Sequence, residues 1–207
     1  MDDWKLILKV IIGSVLLMLV VIYGLSKMAN TNTTLTTDQN ILTDGAKLVK
    51  ENGETKVTVV NFSDMECPAC KLAHELTAGL ASIPEVKVVF RHYPLAGHKN
   101  SFIAAVAVEA ARVMGKGWEM IDILYANQEE WSGENNMENK LIEYAKEIGL
   151  DGEVFKTKLD DGELAAVVQQ DVSLGNSLRL SGTPTIYVNG EQVAANFVEA
   201  KVKELLK

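Results

Sequence analysis

The sequence predicts an α/β domain in which a βαβ unit and a ββα unit flank a helical insert, preceded by one transmembrane helix. Three observations carry that prediction. Val10 to Leu25 reads VIIGSVLLMLVVIYGL, 16 residues without a charge. Runs of β-branched and apolar residues stand at 56–62, 85–93 and 183–188. Between the second and third, from about Lys99 to Leu180, apolar residues recur at helical spacing.

Counted back to Leu6, the N-terminal run reaches 20 residues, interrupted only by Lys9. As a helix it spans about 30 Å, the thickness of a bilayer's hydrocarbon core. Lys9 lies near one end and can snorkel. Lys5, Lys9 and the amino terminus flank one side and Lys27 alone the other. This bias places the N-terminus in the cytoplasm and the remainder outside. A cleaved signal peptide is the competing reading, but its apolar core is usually about 7–15 residues. Here the core is longer, and Lys27 stands at the minus-three position for cleavage after Ala29. We read 1–27 as an uncleaved anchor, and either reading puts the remainder outside the cytoplasm. Met28 to Asp44 is rich in Thr and Asn and reads as a tether, with 28–52 leading into a domain at 53–207. Asn32-Thr33-Thr34 matches the N-glycosylation pattern.

Within the domain, Lys56 to Phe62 reads as a buried strand. It runs into Cys67-Pro68-Ala69-Cys70, and the helix formers of Lys71 to Leu76 follow. Pro68 suits a first helical turn, where its missing N–H costs nothing. Glu85 to Tyr93 is a second strand ended by Pro94, and the three elements make a βαβ unit with a parallel pair. The insert, about 99–180, reads as four or five short helices. Phe102, Val106, Ala110 and Val113 mark one, Trp118, Ile121 and Tyr125 the next, then Leu141, Tyr144 and Ile148, then Leu164, Val168 and Val172. Asp151-Gly152-Glu153 and Asp160-Asp161-Gly162-Glu163 read as helix caps, because their spacing is wrong for a calcium loop. Thr183 to Val188 is a strand, Asn189-Gly190 a hairpin turn and Glu191-Gln192-Val193 the start of the returning strand. Phe197 to Lys207 closes the chain as a helix.

The composition narrows function. With 20 Lys and Arg against 28 Asp and Glu, a net charge of −8 and no basic cluster, the chain is not built for nucleic acid. Its only two cysteines are Cys67 and Cys70. A Cys-x-x-Cys pair at a strand-to-helix junction outside the cytoplasm points to redox chemistry. Just ahead of the helix, Cys67 would face unpaired N–H groups and the positive end of the helix dipole, which favour a thiolate. Thiolates in such places have pKa values of about 3.5–7.5, and a low value makes a good leaving group. Cys70, one turn in, would be the buried resolving thiol and Cys67 the exposed attacker. A purely structural bridge would close too small a loop to remove much unfolded-state entropy. A zinc site needs four ligands; His74, His92 and His98 are available, but no second knuckle exists, and His74 is expected on the helix surface. Ser181-Gly182-Thr183-Pro184-Thr185 puts a proline at the start of a central strand, where it is normally excluded. A cis Thr183–Pro184 bond would explain its tolerance.

With these stretches in order the chain resembles the DsbA-like thiol–disulfide oxidoreductases, a branch of the thioredoxin fold with a helical insert, in a membrane-anchored bacterial form. The resemblance covers about Gly53 to Lys207. It is carried by Val57 to Asp64 with the CPAC motif, by Arg91-His92-Tyr93-Pro94-Leu95 and His98, by Gly115 to Met120, and by Gly182-Thr183-Pro184-Thr185 with Val188-Asn189-Gly190. It implies that Cys67 is the nucleophile, Cys70 the resolving thiol, and Thr183-Pro184 the loop that guards the disulfide and binds substrate backbone. It further implies exported protein substrates with reduced cysteines and a membrane quinone-coupled partner that reoxidises the pair. No metal and no bound cofactor are implied, and a monomer is expected. The family usually places a buried acid six positions before the first cysteine; here that residue is Asn61, which cannot act as a base. A disulfide oxidase is the leading expectation. A reductase or isomerase of the same fold stays open, because potentials span about 150 mV across the class. So does a non-catalytic peptide-binding module.

Overall fold

Val57–Ser63 forms the strand on which the domain is built, and all seven of its residues are buried. The computed structural model describes residues 3–29 and 36–207, and Asn32-Thr33-Thr34 lies outside them. The chain divides into two units, Met1–Leu35 and Thr36–Lys207. In the first, α1 is a helix over Asp3–Ala29. Its side chains are described without a break only from Ile11 to Tyr23, and there they are exposed. Among the described residues no helix is long and apolar enough to cross a membrane.

The second unit begins earlier than the sequence suggested. Part of the stretch read as tether is packed structure: α2 (Gln39–Thr43) buries Leu42 completely, and β1 (Leu48–Lys50) joins the sheet. Polar composition hid both, since α2 buries a single residue and β1 is three residues long. The sheet order is β1-β3-β2-β4-β5, with β2 at Val57–Ser63, β3 at Val86–His92, β4 at Thr185–Val188 and β5 at Glu191–Val193. The β2–β3 pair is parallel, as expected of a βαβ unit, and the other pairs are antiparallel. The crossover is α3 (Pro68–Thr77) and a 3₁₀ turn.

Alternation along β2 divides the core. Val57 and Val59 pack with Ala73 of α3 and with Val198 and Val202 of α10 (Val198–Leu205). Val60 and Phe62 face the other way, toward Leu42 and Val172. The insert has six helices among the described residues, one more than expected. These are α4 (Ser101–Val113), α5 (Gly117–Ala126), α6 (Gln128–Trp131), α7 (Met137–Glu147), α8 (Gly152–Leu159) and α9 (Gly162–Ser177). The periodicity misassigned two side chains of α4: Phe102 and Val113 are 43% and 45% exposed. This helix packs against α5, α7, α8 and α9, so small residues such as Ala104, Ala107 and Ala111 carry its burial. Asp151 and Asp161 cap α8 and α9 through their side chains, as the sequence suggested. The hairpin turn has Asn189 at φ 47° and Gly190 at φ 85°, the geometry that Asn-Gly supplies.

Arg91, almost fully buried on β3, ties three segments together. Its guanidinium donates to the carbonyls of Leu42 and Asp44 and pairs with Asp171 of α9 at 2.7 Å. Removing one partner of a buried pair leaves the other charge unpaired. We expect Arg91→Met to cost about 3–5 kcal/mol, read as a lowered denaturation midpoint, and Arg91→Met with Asp171→Leu to recover part of it.

Candidate active site

The site is assembled where β2 ends. Asp64 follows the strand with its side chain wholly buried. Its carboxylate accepts from the Glu66 and Leu95 N–H groups, both at 2.8 Å, and from the Ser101 hydroxyl, and it lies 2.7 Å from His98 Nδ1. One charge thereby fixes the turn into the CPAC motif, the loop after β3 and the start of α4. Glu66 adds a bond from the Asn100 N–H at 2.7 Å. Gln128 reaches in from α6 and donates to the carbonyls of Met65 and Cys67.

Cys67 stands immediately before α3. Its carbonyl accepts the first helical bonds, from the N–H groups of Cys70 and Lys71, and Pro68 opens the helix. Its thiol donates to the Thr183 carbonyl at 3.6 Å. The Thr183–Pro184 bond is cis, and 116 residues of chain separation close into one site. Cys67 is less open than expected, at 7% exposed, while Cys70 is at 0%. Both cysteines belong to the same apolar cluster as Met65, Phe90, Tyr125 and Trp131, so the helical insert supplies the wall behind them.

Both thiols are free. Burial pushes the Cys70 thiol up to about 12; the Asp64 N–H, 3.4 Å from its sulfur, and the Ser63 and Thr183 hydroxyls work against that rise. Tyr125 of α5 donates to Ser63 Oγ at 3.1 Å and to the Asp64 carbonyl at 3.2 Å. Burial holds its phenol well above the ordinary range, which keeps it a donor.

The structure thus brings together Cys67, Cys70 and Thr183-Pro184, the residues singled out from the sequence. The histidines do not converge on the sulfurs: His74 meets Asp122, His92 meets Glu109 and His98 meets Asp64. His74 is not the free surface residue expected of it. Its side chain is 13% exposed and its ring packs against Tyr125 at 5.1 Å. Sequence reasoning gave no role to Asp64, Ser63, Tyr125 or Gln128. Asp64 left a local trace, since an Asp accepting from the N–H two residues on is a common turn device; Gln128 left none.

Residues 45–207 match the thioredoxin family. The chain belongs to that family. Among curated proteins, this thioredoxin-family domain is 38% identical over 141 residues to the sodium/proton antiporter NhaA 3 of Salinispora tropica, a match covering 67% of the chain. The chain spans about a fifth of the length of that relative, 21%, so the antiport belongs to the longer protein. Among solved structures, a thioredoxin-like oxidoreductase from Silicibacter pomeroyi is 28% identical with a TM-score of 0.64, covering 82% of this chain and 96% of that one. The thiol–disulfide exchange protein alpha-DsbA2 of Wolbachia pipientis shares the fold at 22% identity and a TM-score of 0.70, covering 80% and 90%. The fold is that of DsbA-like thiol–disulfide oxidoreductases.

The burial of Cys70 has a pH signature. A thiol that lets go of its proton near 9.0 when unfolded and near 12 when folded stabilises the fold below pH 9, and that contribution is lost as pH rises toward 12. In a Cys67→Ser protein, Cys70 should therefore resist alkylation by iodoacetamide through pH 9 and react only in more alkaline solution. Mass spectrometry across a pH series checks this; rapid labelling near pH 8 contradicts it.

Proposed function

We propose that this chain is an extracytoplasmic disulfide oxidase that introduces disulfide bonds into exported proteins through Cys67 and Cys70. The observation that carries this reading is the asymmetry of the pair. Cys67, at the head of a helix and against the Thr183-Pro184 loop, keeps 7% exposure, while Cys70 has none. In the oxidised enzyme a substrate thiolate attacks Cys67 Sγ. The Cys67–Cys70 bond breaks, its electron pair goes to Cys70, and Cys70 takes up a proton. A second substrate thiolate then attacks the substrate sulfur of the mixed disulfide, and Cys67 leaves as thiolate. Substrate gains a disulfide and the enzyme gains two electrons. An extended substrate segment would lie along the Thr183-Pro184 backbone, which meets Cys67. A membrane quinone-coupled partner would reoxidise the dithiol.

The direction is tested by titrating the dithiol in glutathione buffers and by oxidative refolding of a reduced substrate protein. An oxidase lies well above thioredoxin's potential of about −270 mV and loses refolding activity in Cys67→Ser. A potential at or below that of thioredoxin would instead favour the reductase reading. A Cys67→Ser protein that keeps its cellular function would favour a peptide-binding module.

The anchor rests on the sequence, with its uncharged Val10–Leu25 run and the lysines flanking it. We place the catalytic domain on the outer side, acting as a monomer. The full-length protein should stay with the membrane pellet after an alkaline carbonate wash; its release into the supernatant would remove the anchor from the reading.

A further inference from the structure

Asn61 stands on the central strand with no group able to take a proton from Cys70. Val59, Asn61 and Ser63 alternate onto the face of β2 that meets α3, and the Ser63 hydroxyl faces the Cys70 thiol. Asn61 is 4% exposed, and its Oδ1 is buried without a hydrogen-bond partner among the described residues. An unsatisfied buried acceptor costs about 1–3 kcal/mol, so its presence calls for a physical reason. Asn61 lines a cavity of about 210 Å³ whose wall also carries His74, Asp122, Lys50 and Trp118. The cavity wall is part apolar, with Val59, Val88 and Phe90 beside these polar groups, and its size is enough to hold water.

His74 is four residues after Cys70 on α3, so the two side chains share a helix face with Cβ atoms about 5–6 Å apart. His74 Nε2 lies 2.7 Å from Asp122 Oδ1. When Nε2–H donates to that carboxylate, Nδ1 is left as the ring's acceptor. The ring rests on Tyr125, whose hydroxyl bonds to Ser63 beside Cys70.

We propose that His74, oriented by Asp122, is the proton-exchange partner of Cys70, reached through water that Asn61 Oδ1 helps to hold in this cavity. The inference rests on the redox reading above. During resolution the Cys70 thiol gives its proton through water to His74 Nδ1. The thiolate then attacks Cys67 Sγ, and the bond between Cys67 and the substrate sulfur breaks. The substrate sulfur leaves with the electron pair. During oxidation of a substrate the same proton returns as Cys70 is released. The thiol's elevated pKa is why an acceptor is needed at neutral pH. The titratable and charged groups packed against His74 are Asp122 and Tyr125 from α5, with Lys50 from β1 on the wall of the same cavity; Cys70 lies one turn earlier on its own helix.

Stopped-flow mixing of the reduced full-length protein with the aromatic disulfide dithiobis(nitrobenzoate) separates the steps. A first thionitrobenzoate is released when Cys67 attacks. A second, at a rate independent of reagent concentration, is released when Cys70 resolves the mixed disulfide. We expect His74→Gln to lower the ratio of second-phase to first-phase rate by more than about tenfold at neutral pH, the scale of general base catalysis, and the loss to shrink as pH rises. Asp122→Asn should act in the same direction. In an Asn61→Asp background, where a carboxylate lines the cavity, His74→Gln should cost less than about threefold. An unchanged ratio, or a loss of equal size at every pH, overturns the role given to His74 while leaving the redox reading intact. Absence of the first phase overturns the redox reading itself.

Discussion

The Asp64 carboxylate is the interaction on which the site depends. It is buried, it follows the central strand directly, and its partners lie on three separate segments: Glu66 in the turn, Leu95 and His98 after β3, and Ser101 at the head of α4. A buried carboxylate is tolerated only when its lone pairs are filled, and here four donors surround it. The charge sets where the chain turns after β2, and therefore where Cys67 sits at the start of α3. Gln128 and Asn100 complete the frame by holding carbonyls of the CPAC turn and of the segment after α6.

The chemistry of the pair follows from its unequal burial. Cys67 keeps a trace of exposure and contacts the Thr183 carbonyl, whereas Cys70 is fully enclosed beside β2, α3 and α5. A thiol without solvent holds its proton, and the low-dielectric wall that does this is made largely by the insert. The insert is therefore part of the surroundings of the cysteine pair. Tyr125, Gln128 and the Leu124–Trp131 contact belong to α5 and α6, yet they shape the surroundings of residues 64–70.

Much of this was legible in the sequence where signals are local. The strand at 57–63, the helix opened by Pro68, the Asn189-Gly190 turn and the capping Asp151 and Asp161 each follow from neighbouring residues. The buried His92–Glu109–Arg112 chain and the Arg91–Asp171 pair were not legible, because polar residues in strands and helices look solvent-facing until a partner is found. The same holds for His74. Its partners Asp122 and Tyr125 arrive with α5, and no local signal names them. Phe102 and Val113 failed in the opposite sense, since apolar spacing cannot say how many neighbours a helix will have.

That the Thr183-Pro184 loop is the counterpart of the cysteines was implied by the family resemblance; the sequence by itself determined the order of strands and helices and the position of both cysteines at a helix start. These depend on backbone preferences and hydrophobic alternation, which act over a few residues. The tertiary structure decided that Leu42 and β1 join the domain, that Cys67 is nearly covered, and that Asn61 looks into a cavity shared with His74 and Asp122. Those outcomes depend on which surfaces meet across tens to more than a hundred residues of chain, and burial and charge pairing are set only once they do.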